Sequence, residues 1–317
     1  MKHKCEFCGE EEGCSFQVTV AGVVSRIYRC SNCLACHMSP KVPEEELTKF
    51  YAEEYFLGLK SERYKARLLA EDYFKKVVCY NGELARECRI LEIGPGYGYF
   101  GSKLKSLSLG LDIDVLEPSK ICAEHIRAIT PQIKIFENFE KIKEGTLKYD
   151  YIFAFHVLEH LQEARIFLDN IQSNLKPKGR FIALTPNASS GSFLKYGANW
   201  GWSCFGQHTQ FFSEKIPEEF YRKHGFDPVL VKSVVPHPIH FPSKIHSCLQ
   251  GWTATLQKSS YANYLLVRII KKGLRLLAEL FFSQNRRFMP LRDLEAYANR
   301  LGDRKGRDEL ILVLEKL

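Results

Sequence analysis

The sequence lacks any uninterrupted apolar run of the roughly 20 residues that a membrane-spanning helix requires. Its first residues, Met-Lys-His-Lys-Cys-Glu-Phe-Cys, also contain no apolar stretch that could serve as a secretory signal. We therefore expect a cytoplasmic protein whose cysteines are reduced thiols or metal ligands rather than disulfides. No internal repeat or low-complexity segment is visible either.

The chain also lacks a concentration of charge of one sign. Its formal net charge of +8 over 317 residues is modest, and its lysines and arginines are scattered, with the densest patches at 268–275 and 286–307. Nucleic-acid binders usually carry a basic stripe with a recognisable reading motif, so we expect no nucleic-acid partner. An anionic substrate or a membrane surface fits this charge better. The composition, 45% hydrophobic and 26% charged, is that of a globular protein, and the length leads us to expect one catalytic domain plus a small extra unit.

Six of the eleven cysteines lie within the first 40 residues, and four of them form two Cys-x-x-Cys pairs 21 residues apart. The pairs are Cys5 with Cys8 and Cys30 with Cys33. Two-residue separation lets both sulfurs of a pair reach one tetrahedral ion at roughly 2.3 Å. A segment this short buries too little hydrophobic core to be stable without a bound metal ion or a similar cross-link. We therefore predict a structural zinc site in a zinc-ribbon-like module, residues 1–42, rather than thiols that merely pack together.

The exact ligand set of this zinc site stays open. Three further potential ligands lie in the same segment: Cys14, Cys36 and His37. Any of them could replace one member of the two pairs.

After a helical connector, residues 43–84, strand and helix patterns alternate. The predicted strands are 89–93, 112–116, 133–136, 150–155, 179–184, 228–234 and 309–315, and the predicted helices are 99–107, 119–129, 161–174 and 213–224. Such alternation requires right-handed crossovers and a parallel, doubly wound sheet, hence an α/β fold. The core domain is predicted over 85–235, and residues 307–317 return to it as its final strand.

The segment between the last two strands, 236–306, is predicted to be a long helical insertion. Its centre, 264–282, has the period of a basic amphipathic helix. One interpretation is a helix that covers the sheet or a second subunit, which leaves a homo-oligomer open. The other is an interfacial helix that makes peripheral contact with anionic lipid.

A nucleoside-cofactor site is indicated where the first core strand ends. The strand leads into Gly-Pro-Gly-Tyr-Gly, and Glu117 follows nineteen residues after Gly98. Glycines let the backbone approach a ligand closely, and an acid at the end of the next strand can accept ribose hydroxyls. A literal Gly-x-Gly-x-x-Gly is also present, which could suggest a dinucleotide. However, Glu92 inside the strand would repel a pyrophosphate but suits the cationic cofactor S-adenosylmethionine.

Several segments together resemble the class I S-adenosylmethionine-dependent methyltransferases. They resemble in particular the group that includes ubiquinone-biosynthesis O-methyltransferases and small-molecule or glycan methyltransferases with a zinc-binding N terminus. The matching stretches are 91–98, 115–118, 149–161, 175–181 and 208–213. The resemblance implies a Rossmann-like, doubly wound, seven-stranded sheet with its last strand antiparallel and the ligand over the carboxyl ends of the strands.

By position, the resemblance also implies roles for individual residues. Those that would line the methionine part of the cofactor are Glu92, Gly94, Gly96 and Gly98. Glu117 would bind the ribose, Asn138 and Phe139 would flank the adenine, and Phe155 and His156 would close the pocket.

A general base is expected if the acceptor is a hydroxyl or an acidic carbon, and histidine titrates near neutrality. We rank His160 first and His208 second, the alternative for each being a helix-capping or structural histidine. In the ubiquinone-type relatives the segment that matches 156–160 carries acids that can hold a divalent metal. His156 stands where an acid is expected, so we predict no catalytic metal.

The sequence thus predicts methyl transfer to an oxygen, with carbon and nitrogen as weaker choices, of a small-molecule or glycan-precursor acceptor. Two other functions remain open. One is an NAD-dependent oxidoreductase or nucleotide-sugar epimerase, and the other is a non-catalytic zinc-module scaffold that retains the cofactor fold.

Overall fold

The computed structural model describes residues 3–20, 23–41, 43–56, 58, 60–143, 147–200, 202–203, 207–237 and 307–317. The predicted helical insertion, with its amphipathic centre at 264–282, lies outside the described residues except for its first two positions. Both interpretations of that insertion therefore stay predictions. None of the described helices combines the length and apolarity needed to cross a membrane.

The N-terminal segment forms strands. They are β1 (His3–Lys4), β2 (Glu11–Val20), β3 (Val23–Cys30) and β4 (Cys36–Ser39). The connector that follows is helical, as predicted. It contains α1 (Glu44–Lys49), a π-helical turn (Phe50–Glu54) and α2 (Lys60–Asn81).

The core elements follow in alternation. In chain order they are β5 (Arg89–Ile93), α3 (Tyr99–Lys105), β6 (Asp112–Leu116), α4 (Lys120–Ile129), β7 (Lys134–Phe136), α5 (Phe139–Lys143), β8 (Tyr149–Phe155), α6 (Ala164–Asn174), β9 (Leu175–Pro186), α7 (Gly191–Tyr196), β10 (Gln210–Phe211), α8 (Glu218–Lys223), β11 (Phe226–Val234) and β12 (Glu309–Lys316). Helix α6 begins later than predicted because a 3-10 turn, Leu158–His160, comes first. Helix α8 also begins later, because the chain turns at Ser213–Ile216 before Pro217 can open the helix.

Seven strands form the main sheet in the order β11-β12-β9-β8-β5-β6-β7. Strands β5 to β9 pair in parallel, whereas β12 runs antiparallel to both β9 and β11. The apolar run of β12 is buried from Leu310 to Leu314, as expected for a strand covered on both faces. The doubly wound sheet with one reversed strand, expected from the sequence, is confirmed.

The strand order reverses beside β5, because its neighbours β6 and β8 lie on opposite sides of it. The connections that leave β5 and β8 therefore diverge, which opens a crevice at the carboxyl ends of these strands. Both the glycine turn after β5 and the histidine segment after β8 lie at this edge. The topology thus brings the two predicted halves of the site together.

The N-terminal strands share a sheet with the core domain. The smaller sheet has the order β1-β2-β3-β4-β10, so its last strand comes from the segment before α8. Phe7 also packs against Phe212 and Phe220, with ring centroids 5.1 and 5.0 Å apart. The smaller sheet therefore crosses the boundary predicted at residue 42, so the N-terminal strands pair directly with a strand of the core segment.

Candidate functional site

A cavity of about 700 Å³ lies at the carboxyl ends of β5, β6 and β8. Nine of the residues predicted for the site line it: Glu92, Gly94, Gly96, Glu117, Phe139, Phe155, His156, His160 and His208. Two predicted cofactor residues, Gly98 and Asn138, do not line it. Asn138 instead accepts a hydrogen bond from the Lys141 amide at 3.1 Å and so caps α5.

The glycine turn after β5 depends on backbone conformations that only glycine adopts easily. Gly94 and Gly98 have φ values of +63° and +73°. A Cβ atom on Gly94 would lie 2.8 Å from Val157 Cγ2, and one on Gly98 would lie 2.5 Å from Ile126 Cγ1. Gly94 thus lets the turn approach the segment after β8, and Gly98 lets α3 begin against α4.

A Gly98→Ala variant is expected to lose about 1–3 kcal/mol of unfolding free energy, because the new methyl group meets Ile126 in a strained backbone conformation. Urea unfolding measures the loss. Gly82→Ala is the matched control, since Gly82 also has positive φ (+88°) but open space around its Cβ position. Equal losses in the two variants would show that close packing at Gly98 does not matter.

Two buried carboxylates face the cavity next to this turn. Glu92 accepts a hydrogen bond from the Gly101 amide at 3.1 Å. Glu117 accepts from the Gly96 amide at 3.0 Å and from the Ser119 amide at 2.8 Å. Both side chains belong to residues only 3% exposed, and within the described part of the chain neither forms an ion pair. Burial raises the pKa of Glu92 to about 8 and that of Glu117 to about 7.

In ligand-free protein, the contribution of Glu92 and Glu117 to the free energy of unfolding should decrease as the pH rises from about 4.5 to about 8. In that window the folded carboxyls still hold protons that the unfolded ones have released, so the slope is negative. Glu92→Gln removes one contribution, so the variant should gain melting temperature relative to wild type at about pH 8 and little at about pH 5. Thermal melts at both pH values test this, and an equal difference at both would contradict it.

Two neutral histidines line the same pocket. His160 Nδ1 lies 3.1 Å from the Gln207 carbonyl oxygen, and His208 Nδ1 lies 2.7 Å from the Trp202 carbonyl oxygen. A carbonyl only accepts, so each Nδ1 carries the proton and each Nε2 is the basic atom. The two rings lie 4.6 Å apart between centroids. Burial lowers the pKa of His160 and lowers that of His208 to about 3, so both are neutral near pH 7.

Behind these histidines lies a buried chain of charges. Lys76 contacts Asp72 at 2.6 Å and Glu309 at 2.7 Å. His156 lies 3.2 Å from both Glu309 and Glu159. Burial by itself would lower the pKa of His156, but the two carboxylates outweigh it and raise the value to about 9. This charged imidazole stacks flat on the Trp202 ring, 4.9 Å away, and so fixes one wall of the cavity.

Within the described ranges, two clusters have the residue types of metal ligands. In the N-terminal sheet the ligand atoms of Cys5, Cys8, Cys30 and Cys33 lie within 4.8 Å of one another, as their spacing predicted. Cys36 is outside this cluster, its sulfur 3.7 Å from the Leu34 carbonyl oxygen. The second cluster is Glu159, His160 and His208. Both Glu159 oxygens are already engaged, with His156 and with the Thr185 hydroxyl, so we assign no metal to it.

Sequence reasoning missed the wall that the connector contributes. Four aromatic side chains from the part of the connector before α2 line the cavity, Phe50, Tyr51, Tyr55 and Phe56, and Tyr73 of α2 is a fifth. The hydroxyl of Tyr51 lies 2.6 Å from His160 Nδ1. The dense aromatic run just before α2 was the available signal, since exposed connectors seldom carry so many large apolar rings.

Comparison with known proteins agrees with this geometry. A family model described as a methyltransferase domain matches residues 59–231, more than half of the chain. A protein of Mycolicibacterium smegmatis named "Probable S-adenosylmethionine-dependent methyltransferase" is 30% identical over 139 residues, which cover 41% of this chain and 52% of that protein. The ubiquinone biosynthesis O-methyltransferase of Cereibacter sphaeroides is 28% identical over 160 residues, covering 48% of this chain and 65% of the relative.

The chain thus spans between about half and two thirds of the length of these curated relatives. Among solved structures, a SAM-dependent methyltransferase from Archaeoglobus fulgidus aligns with a TM-score of 0.46 at 16% identity, covering 79% of this chain and 94% of that one. So distant a likeness adds nothing to the strand order described above. On the match over 59–231, the chain belongs to the class I S-adenosylmethionine-dependent methyltransferases.

Proposed function

We propose that the protein transfers the methyl group of S-adenosylmethionine to a hydroxyl oxygen of a small-molecule or glycan-precursor acceptor. The observation that carries this proposal is a single cavity lined by two buried acids and by two neutral histidines. The acids suit a cationic cofactor, and the histidines suit an acceptor that must lose a proton.

The residues present fit the cofactor. Within the described residues Glu92 and Glu117 are buried and form no ion pair, so a bound ammonium or sulfonium group would supply the positive charge that stabilises their ionised forms. Glu117 keeps acceptor capacity for the ribose hydroxyls, because each carboxylate oxygen has two lone pairs and each accepts one amide. Phe139 and Phe155 line the same cavity, as expected for residues beside the adenine and at the mouth of the pocket.

When bound, the sulfonium cofactor supplies an already activated methyl group. The chain's part is to align the acceptor with that group, to exclude water and to hold the acceptor's proton. We place His160 as the base, acting through Nε2. Burial lowers the pKa of His208 to about 3, which makes it a weak base, so we give it the role of a second hydrogen-bond acceptor for the substrate.

We also propose a structural zinc ion held by Cys5, Cys8, Cys30 and Cys33. The Cys5 and Cys33 sulfurs are 3.5 Å apart, and those of Cys8 and Cys30 are 3.4 Å apart. This is close to the separation of two thiolates on one tetrahedral ion with metal–sulfur distances of about 2.3 Å.

The other two functions considered from the sequence are not favoured. A dinucleotide would place its pyrophosphate against Glu92, which faces the cavity beside the turn. A scaffold without turnover would not need two neutral histidines in the same cavity.

Purified protein incubated with methyl-labelled S-adenosylmethionine and a small-molecule extract should transfer label to that extract. The label should then be traced to an ether oxygen by mass spectrometry. Protein that binds the cofactor but transfers no label to any fraction would contradict the proposal and favour the scaffold.

A further inference from the structure

Tyr51 forms a closed triangle of polar atoms with the proposed base. It lies in the π-helical turn between α1 and α2, and its hydroxyl oxygen is 2.6 Å from His160 Nδ1. The same hydroxyl is 3.2 Å from the Gln207 carbonyl oxygen, and His160 Nδ1 is 3.1 Å from that carbonyl. Three segments far apart in the chain therefore meet at one nitrogen.

The carbonyl oxygen decides where the protons of this triangle lie. Because it only accepts, the Tyr51 hydroxyl donates to it. A bare Nδ1 would then face the lone pairs of two oxygens, so we assign the proton of the neutral ring to Nδ1. The Nδ1–H group donates to the Tyr51 oxygen, the closer of its two acceptors. Among the described residues Nε2 of His160 has no hydrogen-bond partner, which leaves it for a ligand in the cavity.

We propose that Tyr51 is a positioning residue for proton transfer: its hydroxyl, together with the Gln207 carbonyl, holds His160 in the tautomer whose Nε2 accepts the proton of the methyl acceptor. This inference rests on the proposed function, with His160 as the base. It adds to it a residue from the connector, outside the strands and turns of the cofactor fold.

The hydrogen bond between His160 Nδ1 and the Tyr51 hydroxyl should become stronger during the reaction. As the acceptor oxygen forms its bond to the methyl carbon, the carbon–sulfur bond breaks toward sulfur and the acceptor's proton moves to His160 Nε2. The ring becomes an imidazolium while Nδ1–H remains donated to Tyr51. A hydrogen bond from a charged donor is stronger than one from a neutral donor, so the contact strengthens as charge develops. The Tyr51 ring also packs edge-on against the imidazole, at 5.3 Å and 78°, which restrains its rotation.

Several other groups face His160 and influence its pKa. Glu159 and His156 come from its own segment, His208 from the segment before β10, and Tyr55 from the connector. Burial lowers the pKa of His160, and Glu159 offsets part of that effect. Loss of the Tyr51 oxygen would remove a bond that favours the charged ring, so it should lower the pKa of His160 further.

The test is Tyr51→Phe, which keeps the ring and removes the oxygen. We expect kcat to fall about 10-fold, the effect of one charge-assisted hydrogen bond, with the KM for the cofactor unchanged. Since the base acts when neutral, the acidic limb of the kcat–pH profile should move to lower pH. Tyr64→Phe is the control, because Tyr64 lies on α2, is 53% exposed and does not line the cavity.

A second variant, Tyr51→Leu, separates positioning from simple wall packing. If Tyr51 only fills space, Tyr51→Phe will keep the wild-type kcat and pH profile while Tyr51→Leu loses activity, and the inference is overturned. Melting temperatures of all variants show whether they fold. His160→Gln distinguishes failure of the proposed function from failure of the inference about Tyr51. If His160→Gln retains turnover, the proposed base is wrong. If His160→Gln loses turnover but Tyr51→Phe leaves the pH profile unshifted, only the inference about Tyr51 is overturned.

Discussion

Replacement of His160 by glutamine is expected to lower kcat by about 10²- to 10⁴-fold, the range for loss of a general base. The ring sits in the cavity with Nδ1 committed to Gln207 and Tyr51, so Nε2 is the atom left to take the acceptor's proton. An amide has similar polarity but cannot accept that proton. The measurement is steady-state methyl transfer at saturating cofactor.

The matched control for this experiment is His224→Gln. His224 pairs with Asp169 at 2.7 Å and does not line the cavity, so its loss should leave kcat within about twofold of wild type. A His160→Gln enzyme that is folded, binds the cofactor and retains more than about a third of wild-type kcat would contradict a role as base.

Replacement of Cys33 by serine is expected to remove the zinc ion and several kcal/mol of stability, since metal binding at such sites is itself folding free energy, about 10–16 kcal/mol in isolated zinc modules. Cys33 is fully buried within the core shared by the N-terminal sheet and the main domain. Methyltransferase activity should fall as well, because the N-terminal sheet is hydrogen-bonded to the segment that carries His208. Zinc content and urea unfolding of the purified variant measure the two effects.

The link from the cysteines to the active site runs through β4 and β10. The Met38 amide donates to the Thr209 carbonyl at 2.8 Å, and the Thr209 amide donates to the Glu159 carbonyl at 2.8 Å. His208 immediately precedes Thr209, so a loosened N-terminal sheet would displace it. Cys79→Ser is the control, because that cysteine is exposed and does not belong to the cluster. A Cys33→Ser protein with full zinc content or unchanged stability would show that Cys33 is not a ligand.

The strands of the core could be predicted from the sequence because each is a short apolar run with a clear boundary. β5 was predicted with its observed bounds, since Arg89 and Gly94 flank four buried residues. The reversal of β12 came only from the family resemblance, because local residues do not encode the direction of a strand relative to its neighbours. The cysteine cluster could be predicted for a different reason: the two-residue spacing of each Cys-x-x-Cys pair is visible in the local sequence.

The rest depended on contacts between residues far apart in the chain. Lys76 and Glu309 are separated by 233 positions, so no local sequence pattern could predict the ion pair that lies behind His156. The pairing of β10 with β4 was missed because a two-residue strand has no periodicity to detect. Tyr51 was missed because its role depends on the turn that brings its hydroxyl within 2.6 Å of His160 Nδ1, and the sequence around Tyr51 predicted only a helical connector.

The central claim is that the acids beside the glycine turn bind S-adenosylmethionine, and isothermal calorimetry tests it most directly. Wild-type protein should bind S-adenosylmethionine and its demethylated product but not NAD, and Glu117→Ala should weaken that binding about 100-fold through loss of its charged hydrogen bonds to the ribose. Folded wild-type protein that gives no heat with either form of the cofactor, or that binds NAD instead, would contradict the account.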